Sequence, residues 1–236
     1  MEYITSSDFH FKDTAVALGK FEGIHRGHQL LMDEVKKQEL HGLRSVVFTF
    51  DRPTRLTLTG DTEYKQIYTK KERREILEKR GIDILIEHPF TKEFAALTPD
   101  RFIREVLVEK VGAKVIVVGT DFHFGKNRSG SITDLEKLEE ECGYHLIVVE
   151  KLQLNGKDIS STRIRASLEK GAMEEAKALL GRNYSVSGEI LHGNALGRTI
   201  QVPTINQQVP SFKLLPPNGV YVSKIHWKDE VYYGIT

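Results

Sequence analysis

Apolar residues in the first two thirds of the chain follow two alternating patterns. Short runs typical of buried strands occupy residues 14–19, 44–50, 82–86, 114–118 and 145–149. Helical spacing or helix-capping residues predict helices over residues 27–41 and 69–80, from Thr98-Pro99 onward, and over residues 133–143. Strands that alternate with helices predict a parallel sheet covered on both faces, with ligands bound at the carboxyl ends of its strands.

The pattern changes near residue 181. Residues 162–181 predict a helical connection, and short β-like runs separated by Gly and Pro turns then lie at residues 185–191, 199–202, 219–225 and 230–235. We therefore predict an α/β domain over residues 1–183 and an all-β domain over residues 184–236. Because the last run ends in mid-strand and about 50 residues are few for a closed barrel, the second domain is expected to be incomplete.

Composition narrows the class of protein without changing this picture. The chain has 236 residues, 39% hydrophobic and 28% charged, with a formal net charge of +1, which is typical of a globular protein and does not suggest a nucleic-acid binder. The single cysteine, Cys142, allows neither an internal disulfide nor a cysteine zinc site, so a cytoplasmic setting is expected. Neither a signal peptide nor a membrane span is predicted. Nothing in the sequence indicates an oligomeric state.

The first segment suited to chemistry follows the first predicted strand and reads Gly-Lys-Phe-Glu-Gly-Ile-His-Arg-Gly-His over residues 19–28. Its glycines allow the backbone to approach a ligand, while free amides and the positive end of the following helix favour phosphate oxygens. His25 and His28 can both face that position and donate hydrogen bonds to developing charge. The alternative is that two surface histidines flank a turn. We call residues 19–28 the phosphate cradle.

Two more segments carry residues suited to ligand binding. Residues 118–130, after the fourth predicted strand, combine glycine, aromatic and basic residues, although an ordinary connecting loop would have the same composition. Residues 159–165, Ile-Ser-Ser-Thr-Arg-Ile-Arg, place hydroxyls and arginine at a helix start. Such hydroxyls cap the helix or bind phosphate, and arginine adds a planar fork of donors.

These segments resemble the motifs of one family. The phosphate cradle resembles the HxGH signature of the nucleotidyltransferase superfamily. More narrowly, it resembles the G-x-F-D-G-x-H-x-G-H motif of the bacterial bifunctional riboflavin kinase/FAD synthetases, with Glu22 in place of Asp. Residues 119–130 resemble the family's G-x-D-F-x-F-G-x-x-R-x-G segment, and residues 160–165 match its S-S-T-R-I-R motif. Residues 48–55 are a weaker match to its loop after the second strand.

The second domain resembles the kinase of the same family. Residues 193–206 are similar to the signature G-x-x-x-G-R-x-x-G-x-P-T-A-N, with Gln201 in place of Gly and Ile205 in place of Ala. Residues 217–221 match the P-x-G-V-Y turn that follows. In the family the kinase base is a glutamate that would lie beyond Thr236, the last residue here. From this resemblance we expect a partial kinase domain without kinase activity.

The resemblance implies a Rossmann-like nucleotidyltransferase domain followed by a riboflavin kinase β-barrel. It also implies that FMN and ATP react to give FAD and pyrophosphate, with Mg2+ bridging phosphate oxygens. The intact family further phosphorylates riboflavin to FMN with ATP. By the same resemblance, His25, His28 and Arg163 stabilise the charge that builds on the phosphates.

Roles for individual residues follow from the resemblance. ATP binding is expected of Gly19, Phe21, Gly23, His25, His28, Ser161, Thr162 and Arg163. Flavin binding is expected of Asp121, Phe122, Phe124 and Asn127, although packing in the core is the more frequent fate of a phenylalanine. In the kinase domain, Mg-ATP binding is expected of Gly193, Gly197, Arg198, Thr204 and Asn206, with Thr204 and Asn206 at the metal.

Two other functions are compatible with the sequence. One is an HxGH adenylyl- or cytidylyltransferase that acts on a different phosphate substrate. The other is a flavin- or nucleotide-binding regulator without turnover, which the substitutions at Glu22, Gln201 and Ile205 would suit. The flavin-family segments at residues 119–130 and 193–206 argue against the first of these.

Overall fold

A six-stranded parallel sheet forms the centre of the first domain in the computed structural model, which describes residues 1–53, 60–61, 63–191 and 204–236. The strand order is β1-β4-β3-β2-β5-β6. The strands are β1 (Glu2–Ile4), β2 (Thr14–Leu18), β3 (Arg44–Phe50), β4 (Ile84–His88), β5 (Ala113–Gly119) and β6 (His145–Val149). Every neighbouring pair is parallel, so the predicted sheet is confirmed. Sequence reasoning missed β1, because three residues are too few to show a pattern.

The predicted helices are present with local corrections. The helices are α1 (Arg26–Lys37), α2 (Lys70–Lys79), α3 (Lys92–Ala95), α4 (Pro99–Arg101), α5 (Ile132–Cys142), α6 (Ser161–Glu169) and α7 (Met173–Leu180). Of these, α3 is a short helix that the sequence did not predict. A 3-10 turn, Gln38–His41, extends α1, and a π-helix, Phe102–Lys110, continues α4. Among the residues that the structure describes, no helix has both the length and the apolarity to cross a membrane.

Helix ends follow local capping chemistry. Thr69 begins α2 with a complete capping box, in which its side chain bonds the amide of Glu72 and the Glu72 carboxylate bonds the amide of Thr69. The predicted helix over residues 162–181 is divided between α6 and α7, because Gly171 has a φ of +71° and interrupts the helical backbone.

Both faces of the sheet are buried. On one face, α1 packs Leu31, Met32 and Val35 against the strands. On the other, the π-helix packs four residues against the alternate strand positions: Phe102, Ile103, Val106 and Leu107. Burial on both faces explains why the strands are continuous apolar runs rather than alternating ones.

The second domain contains small antiparallel pairs, in agreement with the predicted partial barrel. β9 (Glu189–Leu191) pairs with β10 (Asn206–Gln208), and β11 (Val222–Trp227) pairs with β12 (Glu230–Ile235). A further hairpin, β7 (Gln153–Leu154) with β8 (Lys157–Asp158), precedes α6. The predicted strand over residues 199–202 lies outside the described residues.

Candidate active site

The phosphate cradle and residues 119–130 meet at the point where the sheet reverses its order. From β2 the chain moves outward through β3 and β4, and then returns to place β5 and β6 on the other side of β2. The cradle follows β2 and residues 119–130 follow β5, so both leave the carboxyl ends of adjacent strands. Open parallel sheets bind ligands in the crevice at such a reversal.

His25 is the N-cap of α1, and this role fixes which ring nitrogen is free. Its Nδ1 accepts a hydrogen bond from the backbone amide of His28 at 3.2 Å. Burial, reinforced by the charge of Arg182, lowers the pKa of His25 to about 4. The ring is therefore neutral near pH 7, and because Nδ1 accepts, its proton lies on Nε2. His25 thus carries one N–H donor that the helix cap does not use.

His28 lies against His25 with a ring atom that has no partner. The two imidazoles stack at 3.6 Å between centroids, and the edge of Phe21 lies 5.0 Å from the His28 ring. Burial, and then the proximity of the His25 imidazole and the charge of Arg182, hold the pKa of His28 well below its usual value. Its Nδ1 is buried without a hydrogen bond to any described residue. A buried polar atom of this kind is one that a bound ligand can satisfy.

The cradle backbone is strained at two residues that are not glycine. Phe21 and Ile24 have φ values of +45° and +42°, and both side chains are fully buried. Positive φ is a true outlier for a β-branched residue such as isoleucine. The glycines serve a different purpose, because a Cβ would lie 3.0 Å from the Phe21 ring at Gly19 and 3.3 Å from the His25 ring at Gly27. They leave room for these rings rather than for unusual torsion angles.

Glu22 joins the cradle to two distant segments. One carboxylate oxygen accepts a hydrogen bond from the Tyr64 hydroxyl at 2.7 Å. The other accepts from the Ile67 amide at 3.3 Å and from the Arg165 guanidinium. Arg165 also lies over the Tyr64 ring, 4.4 Å from its centroid. The longer carboxylate at position 22 therefore fixes an arginine of α6 beside the cradle.

The two arginines of residues 159–165 point in different directions. Arg163 donates to Glu175 at 2.9 and 3.1 Å and to the carbonyls of Leu154 and Lys157 at 2.9 and 3.2 Å. These contacts anchor α6 to α7 and to the β7–β8 hairpin. Arg165, which our sequence reasoning left out, is the one that contacts the cradle through Glu22.

The start of α6 faces the cradle. Ser160 is its N-cap, and its hydroxyl accepts from the Arg163 amide at 3.2 Å. Ser161 and Thr162 occupy the first turn, where backbone amides favour an anion. The Ser161 hydroxyl lies 3.7 Å from the position that a Cβ on Gly23 would take. Ser161 is therefore a neighbour of the cradle, while Thr162 is exposed.

Positive charge converges on this crevice. Burial and the nearby charge of Arg128 lower the pKa of Lys20, and the charge of Arg182 acts on both histidines. Asp121 acts on His25 in the opposite sense, so its carboxylate also lies near the cradle. Neutral histidines surrounded by cations provide hydrogen-bond donors and an attractive field for phosphates.

Some side chains of residues 119–130 pack in the core, and others are exposed to solvent. Phe124 is buried, packs 5.4 Å from Phe102, and lies so close to Gly130 that a Cβ there would meet the Phe124 ring at 2.9 Å. Phe124 is therefore a core residue, as the alternative in the sequence analysis allowed. Phe122 is half-buried and stacks on it at 5.5 Å. Asn127 is exposed, and Asp121 is exposed and pairs with Lys151 at 3.1 Å.

Two of the predicted kinase residues are described. Thr204 is exposed, and Asn206 begins β10, opposite Leu191. Gly193, Gly197 and Arg198 fall outside the described residues, as do Gln201 and residues 54–55 of the weaker match. Within the described part of the chain, no group of three or more His, Cys, Asp or Glu side chains could hold a metal ion.

Comparisons with known proteins agree with this geometry. Residues 8–163 match the FAD synthetase family, and residues 180–236 match the riboflavin kinase family. The bifunctional riboflavin kinase/FMN adenylyltransferase of Listeria monocytogenes is 33% identical over 234 residues, which are 98% of this chain and 74% of that protein. Its Bacillus subtilis counterpart is 35% identical over 225 residues, 94% of this chain and 70% of the other.

A solved structure has the same fold. The crystal structure of a Streptococcus pneumoniae protein named macrolide-efflux protein superposes with a TM-score of 0.89 at 30% sequence identity. The match covers 100% of this chain and 78% of the other. With its histidine cradle at the reversal point of the sheet, the chain belongs to the FAD synthetase family of bifunctional riboflavin kinase/FMN adenylyltransferases.

Proposed function

We propose that this chain transfers the adenylyl group of ATP to FMN, giving FAD and pyrophosphate. The observation that carries the proposal is the pair of stacked, neutral histidines at the start of α1, beside the first turn of α6. The match to the FAD synthetase family indicates ATP and FMN as substrates, and the site has hydrogen-bond donors where their phosphates would lie.

The reaction needs positioning and charge stabilisation more than covalent help. A phosphate oxygen of FMN attacks the α-phosphorus of ATP, and the bond from that phosphorus to the bridging oxygen of pyrophosphate breaks. The Nε2–H of His25 and a ring N–H of His28 would donate to the phosphate oxygens as their charge increases. Replacing His28 with alanine is expected to lower turnover by about 10²- to 10³-fold, which assays of FAD formation can measure.

We propose that Arg165 also donates to phosphate oxygens, and that Arg163 has a structural role in α6. Arg165 contacts Glu22 of the cradle, and we propose that its guanidinium donates to a phosphate of bound ATP. The contacts of Arg163 with Glu175 hold the first turn of α6 in place. We therefore expect Arg165→Ala to raise the KM for ATP more than Arg163→Ala does, and equal effects would contradict this division of roles.

Mg2+ suits this chemistry, because it is usually held by substrate phosphates with one or two protein oxygens. Bound to ATP, it would neutralise charge on the phosphate oxygens. Thr204 and Asn206 offer a hydroxyl and an amide oxygen, which are ligands that Mg2+ accepts, and we propose them as its contacts in the kinase domain.

A chromatographic assay with FMN, ATP and Mg2+ tests the proposal. Formation of FAD supports adenylyl transfer, whereas flavin binding without product would indicate a regulator. If neither occurs, an HxGH transferase for another phosphate substrate is indicated. A second arm with riboflavin and ATP measures kinase activity, which the riboflavin kinase match over residues 180–236 favours. Formation of FMN in that arm would support riboflavin phosphorylation as a second activity, and its absence would limit the chain to adenylyl transfer.

A further inference from the structure

Arg182 reaches the phosphate cradle from the segment that matches the riboflavin kinase family. Its guanidinium Nη2 donates to the carbonyl of Gly23 at 2.8 Å, and Nη1 donates to the carbonyl of Ile24 at 2.8 Å. Nη1 also donates to the carbonyl of Leu180 at 3.2 Å. Residue 182 lies within the riboflavin kinase match over residues 180–236, so the contact links the two family regions.

The carbonyls that Arg182 holds belong to the strained part of the cradle. Ile24 has a φ of +42°, and such a conformation persists only where the surroundings over-determine it. The side-chain amide of Gln29 also donates to the Ile24 carbonyl at 3.0 Å and to the Leu180 carbonyl at 2.8 Å. Two donors, one from α1 and one from beyond α7, therefore fix the peptide that directly precedes His25.

No carboxylate among the described residues pairs with the positive charge of Arg182. Arg182 lies over the Tyr68 ring, 5.0 Å from its centroid, and its buried Nε has no hydrogen-bond partner among the residues that the structure describes. Within the described residues Arg182 donates to three carbonyls and interacts with the Tyr68 side chain, and it forms no salt bridge there. Burial lowers the pKa of Arg182, yet a guanidinium stays protonated, so its charge acts on His25 and His28.

The residues around Lys213 connect the chain after Arg182 to Gln66, Ile67 and Glu72. Lys213 forms a buried salt bridge with Glu72 at 2.7 Å and donates to the Ile67 carbonyl at 2.7 Å. The backbone of Gln66 is bridged to Lys213, and the amide of Leu214 donates to the Gln66 carbonyl at 2.8 Å. Lys213 also donates to the Ser185 carbonyl at 3.0 Å, and the Ser187 amide donates to Glu72 at 2.8 Å, so the residues that follow Arg182 are held by the same contacts.

We propose that Arg182, which lies at the border between the two family regions, is a positioning residue for adenylyl transfer and completes the ATP site of the transferase. By holding the carbonyls of Gly23 and Ile24, Arg182 orients the His25 ring and its Nε2–H. The same contacts orient the backbone amides at the start of α1. This rests on the proposed function, since the cradle is the site where ATP phosphates are expected.

The test compares Arg182→Lys with Arg182→Ala. Lysine keeps the charge but cannot bridge two carbonyls with a planar fork. We expect Arg182→Lys to lower kcat/KM for ATP by about 10- to 100-fold, the equivalent of one charged hydrogen bond, with the KM for FMN little changed. Added guanidinium ion should restore part of the activity of Arg182→Ala. Arg74→Lys is the matched control, because Arg74 also has a buried, unpartnered Nε but packs on Tyr3 at the β1 edge.

Several results would overturn the proposal. A wild-type kcat and KM for ATP in Arg182→Lys would do so, as would a loss that affects both substrates equally and follows the folded fraction in thermal unfolding. The binding of α,β-methylene-ATP, measured by calorimetry, decides the question independently of turnover. If the unmodified chain makes no FAD, the proposed function fails. Weaker nucleotide binding by Arg182→Lys would still support the positioning role in that case, and unchanged binding would refute it.

Discussion

His25 has two separable functions, and asparagine at this position should keep one and remove the other. Its Nδ1 caps α1 by accepting the His28 amide at 3.2 Å, while its Nε2–H is proposed to donate to phosphate. Asparagine is a strong N-cap residue, so its side-chain oxygen can replace Nδ1. It has no group that reaches the place of Nε2. We predict that His25→Asn folds normally and turns over slowly, whereas His25→Ala is impaired in both respects.

The structure gives a size for each effect. Loss of an N-cap costs about 1 kcal/mol, with a range of about 0.5–2 kcal/mol. For a chain of this length, that corresponds to a melting temperature about 2–4 °C lower in His25→Ala than in His25→Asn. Loss of one donor to transition-state charge lowers kcat by about 10²- to 10³-fold, and this loss should be the same in both variants.

Two measurements separate the functions of His25. Chromatographic measurement of FAD at saturating FMN and ATP gives kcat, and circular dichroism on heating gives the melting temperature. His41→Asn is the control, since His41 is an exposed histidine in the 3-10 turn after α1. Wild-type turnover in His25→Asn would refute the donor role. Equal melting temperatures for His25→Asn and His25→Ala would refute the cap.

Three further predictions follow from the site. Because burial lowers the pKa of His25 to about 4, its neutral ring stabilises the fold above a pH of about 6.5, and this is lost as the pH falls towards 4. In urea unfolding, lowering the pH from about 7 to about 4.5 should therefore reduce the unfolding free energy by about 2–3 kcal/mol more in the unmodified chain than in His25→Asn. Glu22→Ala should raise the KM for ATP by releasing Arg165, while Glu22→Asp should keep most activity. The same KM for ATP in both variants would contradict the proposed role of the contact between Glu22 and Arg165. Lys213→Met should cost about 3–5 kcal/mol in unfolding free energy by leaving Glu72 buried and unpaired, and adding Glu72→Gln should recover part of it.

The sequence determined the features that depend on local chemistry. β3 and β6 were predicted with their observed bounds, because a buried parallel strand is a continuous β-branched run. The cradle was predicted as a strand-to-helix loop with both histidines at the helix start, because spacing along the chain fixes which side chains share a turn. The family resemblance then identified the fold and the reaction, and the comparisons agree with both.

Only the tertiary structure decided which side chains surround the cradle. Arg163 and Arg165 lie in one motif, yet Glu175 holds the first and Glu22 the second, and no local pattern distinguishes them. Arg182 contacts Gly23 across 159 positions of sequence, so its role could not be seen before the chain was folded. Contacts of this kind depend on how segments far apart in the sequence pack together, which the pattern of apolar residues leaves open because it specifies faces but not partners.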